Sequence, residues 1–165
     1  LLLENMNIQD GDTIADIGAG SGYHVFKMAA QAEKGLVYAV DIQEEMLAEI
    51  SRKMANRGVT NVRPVKGSEK SVNLPENSVD KVLFVDVYHE ISFPKELMTS
   101  LYSAMRSDGK LFLIEYRAED ATVPIKEIHK MSVDQAVKEM SAAGFRLQEN
   151  IANLPWQHCM VFVKE

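Results

Sequence analysis

Asp16-Ile17-Gly18-Ala19-Gly20-Ser21-Gly22 follows a short apolar run and precedes an amphipathic one, which puts its three glycines at a strand-to-helix turn. Glycines there let the backbone approach a ligand and turn into a helix whose free N–H groups point at it. The spacing is Gly-x-Gly-x-Gly, and Tyr23 stands where a dinucleotide fingerprint carries its third glycine, which weighs against a nicotinamide or flavin. No Lys-Ser or Lys-Thr follows, so the loop is not a P-loop. Roughly 20 residues on, Tyr38-Ala39-Val40-Asp41 ends a second apolar run in a carboxylate, where doubly wound sheets bind ribose hydroxyls. Separately these are a tight turn and a helix cap; at this spacing they read as one nucleoside-binding pocket.

Working outward, apolar runs alternate with amphipathic stretches, the pattern of an α/β domain with a mostly parallel sheet. Strands are expected at Asp12–Ile17, Leu36–Asp41, Asn61–Lys66, Asp80–Asp86 and Lys110–Tyr116, and helices at Tyr23–Glu33, Glu44–Arg57 and Pro94–Met105. Ser132 is placed to cap a further helix that stops near Gly144. Phe145–Ile151 and His158–Lys164 lie so close together that they read as an antiparallel hairpin, with one reversed strand near an edge of the sheet. No linker or repeat divides residues 1–165, which are expected to form one domain. Leu1–Ile8 reads as a helix already under way, without an initiator methionine, so a preceding segment is expected to be missing and to form a helix or lid over the pocket.

Hydrophobic residues make up 46% of the 165 and charged residues 25%, an ordinary globular mix. A single cysteine, Cys159, cannot form an internal disulfide, which favours a reducing cytoplasm and argues against a multi-thiol arsenic site. No apolar run approaches the ~18 residues of a membrane span. The net charge of −6 offers no basic excess for a nucleic-acid backbone, so a small molecule is the expected partner.

Asp16–Gly22, Asp41, Leu74-Pro75-Glu76-Asn77-Ser78-Val79-Asp80 and Arg106-Ser107-Asp108-Gly109-Lys110-Leu111 together resemble class I S-adenosylmethionine-dependent methyltransferases, in particular the type 11-like domain. The resemblance implies a Rossmann-like three-layer sandwich, with a seven-stranded, mostly parallel sheet whose last strand is antiparallel. It also implies S-adenosylmethionine as cofactor. Gly18, Gly20 and Gly22 would line its methionine portion, Asp16 would orient the loop and the amino group, and Asp41 would hold the ribose. Ala19, Ile42 and Asp86 join this expected cofactor-binding set. The adenine contact stays open between Ser68 and Glu69. A nicotinamide-dependent oxidoreductase and a cofactor-binding module without catalysis are the alternative classes.

Phe84-Val85-Asp86-Val87-Tyr88-His89-Glu90 closes the fourth strand, and ligands of open α/β sheets lie beyond such ends. His89, Glu90 and, on the loop after the fifth strand, His129 are the candidate catalytic residues. An imidazole takes a proton near neutral pH without a large pKa shift. Tyr88 is a candidate to attract the sulfonium through its ring face. His24, His158, Glu115, Tyr116, Arg117 and Lys130 are expected at the same edge, a density of titratable groups typical of functional sites. No His-x-x-x-His pair occurs, so no metal is expected. The methionines, Met46 among them, and Trp156 read as packing residues.

Overall fold

The apolar runs become strands buried on both faces, as parallel sheets require. The computed structural model describes residues 1–165. Its strands are β1 (Thr13–Ile17), β2 (Leu36–Asp41), β3 (Val62–Lys66), β4 (Val79–Val85), β5 (Met105–Arg117), β6 (Lys130–Met131), β7 (Phe145–Asn150) and β8 (Gln157–Lys164). The helices are α1 (Leu2–Met6), α2 (Tyr23–Gln31), α3 (Glu44–Arg57), α4 (Pro94–Ala104) and α5 (Val133–Ala142). Seven strands run in the order β3-β2-β1-β4-β5-β8-β7, and β6 pairs with β5 beside them. β3 through β5 in that order are mutually parallel, whereas β8 is antiparallel to both β5 and β7. This is the expected Rossmann-like sheet with its last strand reversed.

Alternate residues of each strand face opposite layers. Ile17, Val40, Phe84, Leu113 and Phe162 pack with Leu97 and Leu101 of α4 and with Ala136 and Met140 of α5. Ile14, Val37, Leu83, Phe112 and Val161 pack on the other side, with Met6, Val25, Met28 and Ile50 from α1, α2 and α3. Three layers result. Strand order reverses between β1 and β4, so the connections leave these strands in opposite directions and open a crevice beyond their carboxyl ends.

Caps act where the sequence placed them. The Ser132 hydroxyl accepts the Gln135 amide at 3.1 Å, and Gly144, at φ 93°, turns the chain into β7 where a side chain would press on Tyr102 at 3.0 Å. Some ends and one strand differ from expectation. α1 stops at Met6 because Asn7 turns left-handed, at φ 47°. β5 starts at Met105 rather than Lys110, since Val79 pairs with Met105 before a bulge brings Lys81 opposite Lys110. β6 is too short to show a periodicity. It exists because β5 outruns β4, whose last pair is Val85–Ile114, so Tyr116 and Arg117 take Lys130 and Met131 as partners.

Candidate active site

A cavity of about 450 Å³ opens beyond the ends of β1, β2 and β4. Gly18, Gly20, Asp41, Ile42, Ser68, Glu69 and Glu90 border it, as do Gln43, Met46, Ser71, Val87 and Leu97. Gly20 has φ 58°, and nothing lies within 4 Å of the position a Cβ would take. The loop therefore leaves room there for a ligand against bare backbone. Asp41 ties the wall together. One carboxylate oxygen accepts the Gly20 amide and the other the Gln43 amide, both at 2.9 Å, so the glycine loop and the start of α3 share one anchor. Ser68 closes a tight turn with Ser71, its hydroxyl accepting the Ser71 amide at 3.1 Å.

Other expected cofactor residues stand behind this wall. A Cβ on Gly22 would lie 2.7 Å from the Phe26 ring, so this glycine is required for the entry into α2 and faces the core instead of the cavity. Ala19 packs in the layer beneath α2. Asp16 is buried, and desolvation together with the nearby Asp41 charge pushes its carboxyl up to about 7. Asp86 leaves β4 in a left-handed conformation, φ 55°, that an aspartate tolerates better than most residues. Its Oδ2 accepts the Gln157 side-chain amide at 2.6 Å, whereas Oδ1 is buried without a partner. Burial pushes this carboxyl up to about 6.

Beside Glu90 the structure brings together the three candidate catalytic residues. Tyr88–Glu90 and Glu127–His129 form short helical turns that meet above the end of β5. The fully buried Glu115 accepts the His89 backbone amide at 3.2 Å and faces His89 Nδ1 at 2.8 Å through the same oxygen. When ionised, the Glu115 carboxylate can only accept, so it holds the ring proton on Nδ1 and leaves the lone pair on Nε2. That Nε2 faces His129 Nδ1 at 3.3 Å and Glu90 Oε1 at 3.7 Å. Burial raises the Glu115 carboxyl to about 7 against the opposing pull of His89. Glu115 was expected only as one of many edge residues. Its signal is a carboxylate closing the apolar run Leu111–Ile114 beside the fourth strand.

Several expectations are corrected. Tyr88 is buried against Phe84, its hydroxyl donating to Glu139 at 3.1 Å, so its ring does not face the cavity; burial and Glu139 raise its phenol pKa. Met46 belongs to the cavity wall rather than to either core layer. Trp156 is 45% exposed and belongs to neither core layer. His158 stands opposite Glu115 across the β5–β8 pair and His24 opens α2, both at the expected edge. His158 pairs with Glu119 at 2.9 Å and His24 stacks edge-on with Tyr23, however, and neither joins the His89–Glu90–His129 group. His89, Glu90 and His129 converge closely enough to hold a cation, which the absence of a short His-x-x-x-His spacing did not suggest. No helix is long and apolar enough to cross a membrane.

A family model described as a methyltransferase domain matches residues 8–158. The uncharacterized methyltransferase YdaC of Bacillus subtilis is 27% identical over 143 residues, 87% of this chain and 76% of that protein. A fibrillarin-like rRNA/tRNA 2′-O-methyltransferase of Pyrobaculum neutrophilum is 27% identical over 166 residues, 96% of this chain and 68% of that protein. The crystal structure of a SAM-dependent methyltransferase from Aquifex aeolicus superposes with a TM-score of 0.91 at 25% identity, covering 99% of this chain and 88% of that one. The chain therefore belongs to the methyltransferase domain family, with the fold of the class I S-adenosylmethionine-dependent enzymes.

Proposed function

We propose that the chain binds S-adenosylmethionine in the cavity and transfers its methyl group to a small-molecule acceptor at the carboxyl end of β4. The observation that carries this reading is the adjacency of two parts: Glu90 borders the cavity and also touches the His89–Glu115 pair. The residues present suit the cofactor. Gly20 offers bare backbone, and the aliphatic wall from Val40, Ile42, Met46 and Leu97 suits an adenosine. Asp41 keeps a further lone pair on each carboxylate oxygen, beside the amides it already accepts, for the ribose hydroxyls. Ser68 and Glu69 border the same space for the adenine amino group. Asp16 is assigned to the amino group of the methionine portion.

S-adenosylmethionine supplies an electrophilic methyl on a sulfonium when bound. As an acceptor's lone pair displaced sulfur from that methyl, the carbon–sulfur electron pair staying on the sulfur, His89 Nε2 would take the acceptor's proton. Glu115 holds the imidazole in the orientation this needs, and Glu90 and His129 flank the acceptor volume. Excluding water around an aligned pair supplies much of the acceleration. The acidic charge balance favours a small acceptor, but the fibrillarin-like relative is named for rRNA and tRNA, so an RNA hydroxyl belongs in the acceptor panel. Retention of the cofactor without turnover on any acceptor would return the chain to the class of binding modules.

His89→Asn tests the role directly, since its amide still donates to Glu115 while Nε2 is lost. Single-turnover methyl transfer is expected to fall ~10²–10⁴-fold, with S-adenosylhomocysteine affinity changed only a few-fold. A transfer rate within a few-fold of wild type would leave His89 a positioning contact and proximity as the source of the rate.

A further inference from the structure

We infer that His89, His129 and Glu90 form a binding site for a divalent transition-metal ion of the zinc class. Three features point there together. First, the donor atoms of the three residues lie within 4.8 Å of one another, and His89 Nε2 and His129 Nδ1 are 3.3 Å apart. Two imidazole nitrogens on a tetrahedral zinc at ~2.0–2.1 Å are separated by ~3.4 Å, so the pair is already spaced for one shared ion. Without an ion the same distance allows an N–H···N hydrogen bond between the rings, which a shared ion would replace.

Second, the ring of His89 is prepared from behind. Its Nδ1 lies 2.8 Å from Glu115, which is fully buried, also accepts the His89 amide and, when ionised, takes the ring proton's hydrogen bond. A carboxylate behind a ligand histidine fixes the tautomer, aims the other nitrogen and raises its basicity. Here the aimed nitrogen is Nε2, the one that faces His129 and Glu90. Third, the rest of the site is accessible. The Glu90 side chain is 64% exposed and 3.7 Å from Nε2, so a rotation about its free torsions brings the carboxylate onto an ion held by the two histidines. Three protein ligands leave one position open, the arrangement of sites that also take substrate or water. Mixed imidazole and carboxylate donors without thiolate favour zinc, cobalt or iron over the softer ions.

Metal binding itself does not depend on the methyl-transfer reading. The use of the open position does rest on it: an acceptor oxygen or sulfur coordinated there sits at the mouth of the cofactor cavity and releases its proton to solvent water more easily than it does in solution. In the metal-free chain the same Nε2 lone pair takes that proton.

The test uses chain without a histidine tag, stripped with a chelator and titrated with Co²⁺ alone, followed by visible absorption and then by Zn²⁺ competition. Wild type is expected to bind one equivalent with the intense bands of four-coordinate cobalt. His129→Gln, at a half-buried position, and Glu90→Gln, at an exposed one, are each expected to weaken binding by at least ~10-fold, and Glu115→Gln, a positioning change, by ~10–100-fold. Absence of a saturable cobalt spectrum in wild type would overturn the site, as would equal binding by wild type, His129→Gln and Glu90→Gln. S-adenosylhomocysteine titrations run in parallel report on the cofactor cavity. Loss of the metal result with that binding intact rejects the ion and leaves the cofactor assignment standing.

Discussion

Gly20 and Gly22 are two residues apart and differ in what a side chain would meet. At Gly20 it would enter open cavity, whereas at Gly22 it would strike Phe26. Gly20→Val is therefore expected to abolish cofactor binding while the chain still folds, with only the cost of a β-branched residue at positive φ. Gly22→Ala is expected to lower the melting temperature measurably by crowding α2. Thermal melts with and without S-adenosylhomocysteine separate the two. Asp16 gives a pH signature. Its carboxyl titrates near 7 in the fold against 3.8 as the ordinary value, so between them the folded chain holds a proton that the unfolded chain has released. Stability from this group thus falls as pH rises from about 4 to about 7 and levels off above. Asp16→Asn should melt close to wild type at the acid end and gain relative to it at pH 8. If Asp16 faces the cofactor's ammonium group, binding favours its ionised form and expels the proton. Calorimetry in buffers of different ionisation enthalpy should then show proton release at pH 6 and almost none at pH 8, and Asp16→Asn should remove the difference.

Among the elements, those with many apolar residues in phase were the legible ones. The sequence reading of α3 coincides with the helix at both ends, because Gly58 stops it in a left-handed turn. β6 was illegible since two residues carry no period, yet it matters because it fixes the turn bearing His129. The role of Glu115 was hidden for a related reason. A buried carboxylate looks like any strand-end charge until the partner, 26 residues earlier, is known to face it. Met46 was misread because the inner face of α3 borders core along one stretch and cavity along the next, and helical spacing looks the same over both. The cap of α5 offers a check at this scale: Ser132→Ala removes the hydroxyl that accepts the Gln135 amide and is expected to cost ~0.5–2 kcal/mol in denaturant unfolding. No change in the midpoint would show that tertiary packing alone sets the start of this helix.

For the whole molecule, the fold follows from one sheet whose strand order reverses between β1 and β4, and the site follows from what the chain places at that reversal. The glycine loop and Asp41 come from the first two strands, the His89–Glu90 turn from the fourth, and Glu115 and His129 from the fifth strand and the loop after it. The family gives the reaction type, and the acceptor is proposed to lie in the volume beside His89. The central claim is that the cavity strapped by Asp41 is the cofactor's. It is tested most directly by isothermal titration of S-adenosylhomocysteine into wild type and Asp41→Ala, with NAD as the comparison ligand. Saturable binding of S-adenosylhomocysteine, weakened in Asp41→Ala by about 1.5–3 kcal/mol through loss of charge-assisted hydrogen bonds, with no comparable binding of NAD, is the expected result. Equal affinity in the two proteins, or preference for NAD, would contradict it.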